Sequence, residues 1–155
     1  MKNNKISILG CGWLGLPLAK KLIENGYEVK GSTTSESKLE LLKNAGISPY
    51  QIKMEENDIT GNMESFLENT DVLLVDVPPK LRGDFTENFV QKIKTLLPYI
   101  ENSKLKKVLF VSSTSVYGDT FPIQELDEDS PLNPDSEGGR QLVEAEDLLR
   151  MNANF

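Results

Sequence analysis

The chain has 155 residues, 38% of them hydrophobic, which is enough for one domain with a buried core. A formal net charge of −7 argues against a broad nucleic-acid-binding or anionic-membrane surface, because such surfaces carry basic patches. With no histidine and a single cysteine, Cys11, the chain lacks the parts of a zinc site, a His-based triad or a disulfide framework, and a reducing cytoplasm is the simplest compartment.

The start, MKNNKISILGC, has lysines ahead of an apolar run that is too short for a signal peptide, and no membrane span is expected. Ile6, Ile8 and Leu9 predict a buried strand that delivers a G-x-G-x-x-G turn, Gly10, Gly12 and Gly15, to a helix over Leu14–Asn25. In such a strand–turn–helix the first glycine permits the tight turn and the second lets backbone amides approach a pyrophosphate. The third lets helix pack on strand, while the helix N-terminus attracts the anion. The turn therefore predicts a bound dinucleotide on Gly10, Gly12, Trp13, Leu14 and Gly15; a glycine-rich turn without a ligand is the alternative.

Asn25-Gly26 stops the helix, and Tyr27–Gly31 reads as the second strand. At the end of this strand a carboxylate would hold the ribose 2′-hydroxyl of NAD. Here Thr33 and Thr34 stand in its place, with Lys38 nearby, so the segment favours NADP over NAD. Alternatively, Ser32 to Ser35 simply cap the next helix, whose apolar residues are Leu39, Leu41 and Leu42.

Ile47–Met54 is expected as a third strand and Met63–Asn69 as a short helix. Asp71–Val77 is a buried strand stopped by Pro78-Pro79, neither of which can donate to a ladder. Its carboxyl end should face the same crevice as the glycine turn, which makes Val77 and Pro78 walls of the cofactor site. A helix over Phe85–Ile100 and a strand over Lys107–Val111 follow. Strands alternating with helices predict a doubly wound parallel α/β sheet, a Rossmann fold of order 3-2-1-4-5.

After that last strand come SSTSVYGD (Ser112 to Asp119), DEDSPLNPDS (Asp127 to Ser136) and an acidic helix over Leu142–Arg150. In this order and near this spacing they resemble the NAD-dependent epimerase/dehydratase family, the extended short-chain dehydrogenase/reductases. The resemblance implies that Ser112 lies at the cofactor and that Ser113 hydrogen-bonds a substrate oxygen. It places a proton-transferring tyrosine at Gly138 and its lysine partner at Leu142, and this chain has neither. A phenol can exchange a proton with an alkoxide once a cation lowers its pKa, which glycine and leucine cannot do.

Tyr117 is the substitute expected from the residues at hand, with a packing role as its alternative. Arg140 is expected to pair with Glu137 or Glu144. The resemblance further implies that this chain is the N-terminal, cofactor-binding part of a larger fold, and that it forms a homodimer through the Phe85–Ile100 and Leu142–Arg150 helices. Two functions follow: an oxidoreductase or epimerase acting on a nucleotide sugar or similar hydroxylated substrate, or a dinucleotide-binding sensor or scaffold without turnover.

Overall fold

A computed structural model describes residues 4–79, 87–119 and 125–152. The first strand, β1 (Lys5–Leu9), is followed by helix α1 (Gly15–Glu24) and by β2 (Glu28–Thr33). Next come α2 (Leu39–Asn44), β3 (Ser48–Gln51), β4 (Lys53–Met54), β5 (Ile59–Thr60) and α3 (Met63–Leu67). The rest comprises β6 (Val72–Val75), α4 (Phe89–Glu101), β7 (Lys107–Phe110) and α5 (Glu137–Met151). Strands β3-β2-β1-β6-β7 form one sheet, and every pairing in it is parallel. With the small β4–β5 hairpin set aside, this is the expected order 3-2-1-4-5.

Both faces of the sheet are covered at its central strands, as their alternation requires, while at the edge strand β7 Leu109 is 48% exposed on the face of α1 and α2. Ile6 and Ile8 of β1 join Val72 and Leu74 of β6 against α1 and α2, around Ala19 and Leu42. Leu9, Leu73 and Val75 point the other way, into a cluster with Phe66 of α3, Phe89, Ile93 and Leu96 of α4, and Leu142 and Ala145 of α5. Phe66 and Phe89 are fully buried, so truncating either to alanine should cost about 3–5 kcal/mol. Ser7, the buried polar residue of β1, is satisfied: its hydroxyl donates to the Phe66 carbonyl at 2.8 Å and lies 2.9 Å from the Thr70 hydroxyl. Among the described residues no helix is long and apolar enough to cross a membrane.

Several boundaries differ from expectation for identifiable reasons. The second strand runs on to Thr33 rather than stopping at Gly31, because β3 continues to pair with it at Ser32 and Thr33. The expected third strand, Ile47–Met54, is two strands. The Ile52 amide makes the last link to the sheet, donating to the Thr33 carbonyl at 3.0 Å, and the chain then turns away into the antiparallel β4–β5 pair. Helix α3 ends two residues early, short of Asn69, which takes a positive φ of 55°. Phe85, the expected start of the fourth long helix, lies outside the described residues; the described helix begins at Phe89, capped by Asn88. Helix α5 starts five residues before Leu142, because the Ser136 hydroxyl accepts the Gly139 amide at 3.1 Å and caps it.

Candidate functional site

The crevice lies where β1 and β6 end side by side. Gly10 turns the chain at φ 105°, a conformation that excludes most side chains, and a Cβ there would also overlap the Asp76 carbonyl. The turn is tied to β2 twice: the Gly10 amide donates to the Ser32 hydroxyl at 2.9 Å and the Cys11 amide to the Ser32 carbonyl at 2.7 Å. The Ser35 side chain makes no capping hydrogen bond to the short 3-10 turn Glu36–Lys38 that follows β2, and Ser32 is committed to the glycine turn instead.

Two cavities flank this turn. One, of about 290 Å³, is lined by Gly12, Trp13 and Leu14 of the turn, Asp76 and Pro78 after β6, Ser112 and Ser113 after β7, and Leu142 of α5. The other, of about 340 Å³, is lined by Gly10, Ser32, Thr33 and Thr34, with Val77, Glu87 and Lys92 opposite. Along the extended segment after β6, Val77 goes to one cavity and its neighbours Asp76 and Pro78 to the other. Gly15 sits beneath the turn beside Asp76. Lys38 and Tyr117 line neither cavity; Lys38 is exposed, and Tyr117 is half-buried against the apolar cluster of α4 and α5. A larger hollow of about 490 Å³ lies at the opposite end of the sheet, between Glu68 and Lys104, and holds none of the expected residues.

Local chemistry marks the smaller cavity as a place for a ligand. The Ser112 hydroxyl oxygen is shielded from solvent and has no hydrogen-bond partner among the described residues, a costly state that a bound group would relieve. A Cβ on Gly12 would meet no atom within 4 Å, so the backbone there stands open to an approaching phosphate. Trp13 is 94% exposed, an aromatic ring without packing at the mouth of the crevice.

Ser113 caps a 3-10 turn, Thr114–Val116, and its hydroxyl accepts both the amide and the hydroxyl of Ser115 at 3.2 Å. With its lone pairs so engaged, its own proton is free to be donated into the crevice. Helix α5 carries positions 138 and 142 one turn apart on the same face, and Leu142 reaches the cavity. Arg140 pairs with Glu137 at 3.2 Å, at the surface.

Sequence reasoning missed two contributors. Ser32 reads from the sequence as one of the hydroxyls, Ser32 to Ser35, available to cap the next helix, and nothing local marks it as the brace of the glycine turn. Asp76 was passed over inside an apolar strand, although a carboxylate at the carboxyl end of a buried parallel strand is itself a signal. Burial raises its pKa, against the Gly15 amide, which lowers it. Burial likewise pushes the Cys11 thiol up to about 11, with Asp76 adding to the rise and a backbone hydrogen bond with Ser32 opposing it, so this cysteine is a neutral packing group.

Comparison with known proteins bears on the same stretch. Residues 6–151 match the model of the NAD dependent epimerase/dehydratase family. Protein YeeZ of Escherichia coli (strain K12) is 34% identical over 146 residues, which cover 94% of this chain and 53% of that protein. UDP-glucose 4-epimerase of Dictyostelium discoideum is 31% identical over 156 residues, covering 91% of this chain and 44% of that protein. Among solved structures, UDP-glucuronic acid 4-epimerase from Bacillus cereus in complex with NAD superposes with a TM-score of 0.76 at 23% identity. That likeness, which is one of fold, covers 96% of this chain and 51% of the other. The chain spans about half the length of the relatives it matches.

Proposed function

Because the chain belongs to the NAD dependent epimerase/dehydratase family, we propose that it is the dinucleotide-binding part of a protein that performs oxidoreductase-type chemistry on a hydroxyl or carbonyl substrate, a nucleotide sugar in the first instance. The observation that carries this reading is the shared cavity, which Gly12 with its open backbone, Ser112 with its unpartnered hydroxyl and Ser113 line together. The residues fit a dinucleotide: the turn and the N-terminus of α1 would hold the pyrophosphate, Thr33 and Thr34 the ribose, and Val77, Pro78 and Ser112 the remaining walls. Bound there, the cofactor would supply hydride acceptance and donation.

The protein's own part is to place and polarise the substrate. Ser113 donates a hydrogen bond to the substrate oxygen and keeps its proton, and Leu142 excludes water from the back of the crevice. The oxygen's own proton passes to a group from a further part of the larger protein, since Gly138 and Leu142 can accept none and Tyr117 lines neither cavity. NADP is the preferred cofactor, because hydroxyls stand where a carboxylate would repel a 2′-phosphate. The assembly is a homodimer through α4 and α5, working in the cytoplasm. A sensor or scaffold without turnover finds no support in the likenesses above.

The experiment is NADPH consumption against a panel of nucleotide sugars and simple ketones. Turnover abolished by Ser113→Ala supports the assignment; turnover that survives Ser113→Ala contradicts it.

A further inference from the structure

We propose that Asp76 makes dinucleotide binding proton-linked: its charged carboxylate occupies the anion-attracting end of α1, so the complex forms with Asp76 protonated. This rests on the dinucleotide reading of the crevice and adds a regulation to it.

The placement is fixed by the backbone. The Asp76 amide donates to the Leu9 carbonyl at 2.8 Å, which holds the residue beside the glycine turn. Its Oδ2 lies 3.1 Å from the point where a Cβ of Gly15 would stand, at the first residue of α1. A helix of this length carries a partial positive charge at that end, which favours one anion there, and the Gly15 amide already bonds the Asp76 carboxylate. A carboxylate and a pyrophosphate cannot both occupy it charged without repulsion, and in a partly enclosed cavity that repulsion is weakly screened.

The Gly15 amide favours the charged carboxylate, and beyond it no side chain lining this cavity relieves or disguises the effect. Among the described residues lining this cavity, Asp76 is the one ionisable side chain. The turn contributes only Cys11, whose thiol stays neutral with a pKa pushed up to about 11. The segment after β7 contributes Ser112 and Ser113, α5 contributes Leu142, and the segment after Asp76 contributes Val77, Pro78 and Pro79, none of which titrates. The ionisable groups Lys53, Glu55, Glu56, Glu87 and Lys92 line the cavity on the other side of the turn, and a slope due to them would persist in Asp76→Asn. Burial already raises the Asp76 pKa in the free protein, so protonation on binding starts from a favourable position.

The sign follows from linkage. Affinity is highest where Asp76 is already protonated and falls as pH rises through its pKa in the free protein, levelling off above its higher pKa in the complex. The test is calorimetric titration with NAD from about pH 4, near the ordinary carboxylate value, to about pH 8, each point in two buffers of different ionisation heat. NAD is used because a 2′-phosphate would itself take up a proton near pH 6. The protein should lose about tenfold in affinity across this range, one pKa unit of linkage, and take up a fraction of a proton per complex. Asp76→Asn should bind about tenfold more tightly at the alkaline end, with no proton uptake and no slope.

Binding that is independent of pH and free of proton uptake overturns the proposal while leaving the dinucleotide site standing, as does a slope that persists in Asp76→Asn. Should that variant fold poorly, proton uptake by the unaltered protein alone decides. Binding absent from both proteins at every pH overturns the dinucleotide reading, and this proposal with it.

Discussion

The Gly10 amide donates to the Ser32 hydroxyl at 2.9 Å, across 22 residues of sequence, so the geometry of the glycine turn depends on the second strand. Removing that acceptor leaves a partly buried amide unpaired, at about 1–3 kcal/mol. Ser32→Ala should therefore lower the melting temperature by about 3–9 °C in a chain of this size. It should also weaken dinucleotide binding, because the amides of the turn lose their alignment. A thermal melt beside a titration checks both; a variant that matches the parent in each would show that the turn needs no brace.

The cofactor preference rests on the end of β2. Thr34 is exposed at the rim of the cavity that Thr33 and Ser32 line from within. Thr34→Asp would set a carboxylate against a 2′-phosphate, and like charges about 4 Å apart repel by about 1–4 kcal/mol. The ratio of NADP to NAD affinity should fall at least about fivefold, read by calorimetry on both cofactors. Tighter binding of NAD by the unaltered chain would contradict the preference itself.

Ser113 is set apart from its neighbours by chemistry rather than by stability. It is exposed, and Ser113→Ala removes one capping acceptor, so the fold should lose about 1 kcal/mol or less. Turnover by the complete protein should fall about a hundred- to ten-thousandfold while dinucleotide affinity stays within about twofold. Equal losses in both would make Ser113 a structural residue.

How much of this was legible in the sequence varies from element to element. The sheet order followed from apolar runs at Ile6–Leu9, Val72–Val75 and Val108–Val111 alternating with helical periodicity, since parallel strands joined by crossover helices leave few other arrangements. The split at Ile52 was not legible, because Ile52 and Met54 alternate as well in a hairpin as in a sheet strand. The early start of α5 was hidden by Gly138-Gly139, which reads as a loop. A Cβ on Gly139 would overlap the Ser115 carbonyl, so the glycine there serves the close approach of helix and serine turn. In the site, the glycines and the SSTSVYG block were legible because their spacing is local. Ser32 and Asp76 act through contacts between strands, which no local pattern records.

Assembly is open to a simple measurement. Association through α4 and α5 predicts a dimer at micromolar concentration by sedimentation, and charge reversal at Arg150, whose guanidinium pairs with Glu146 at 3.1 Å on the exposed side of α5, should weaken it about tenfold. A monomer at that concentration contradicts the dimer and leaves the crevice unaffected.

The central claim is that the turn from Gly10 to Gly15 holds a dinucleotide. Trp13 stands 94% exposed at the mouth of that crevice and is the chain's single tryptophan, so its fluorescence reports on the site directly. Titrating the protein with NADP and with NAD should quench that fluorescence saturably, at one equivalent per chain. Gly12→Asp, which sets a carboxylate where the backbone opens to the phosphates, should abolish the response to both while leaving the melting temperature within about 2 °C. No saturable response to either cofactor up to millimolar concentration, or an equal response in Gly12→Asp, would contradict the account.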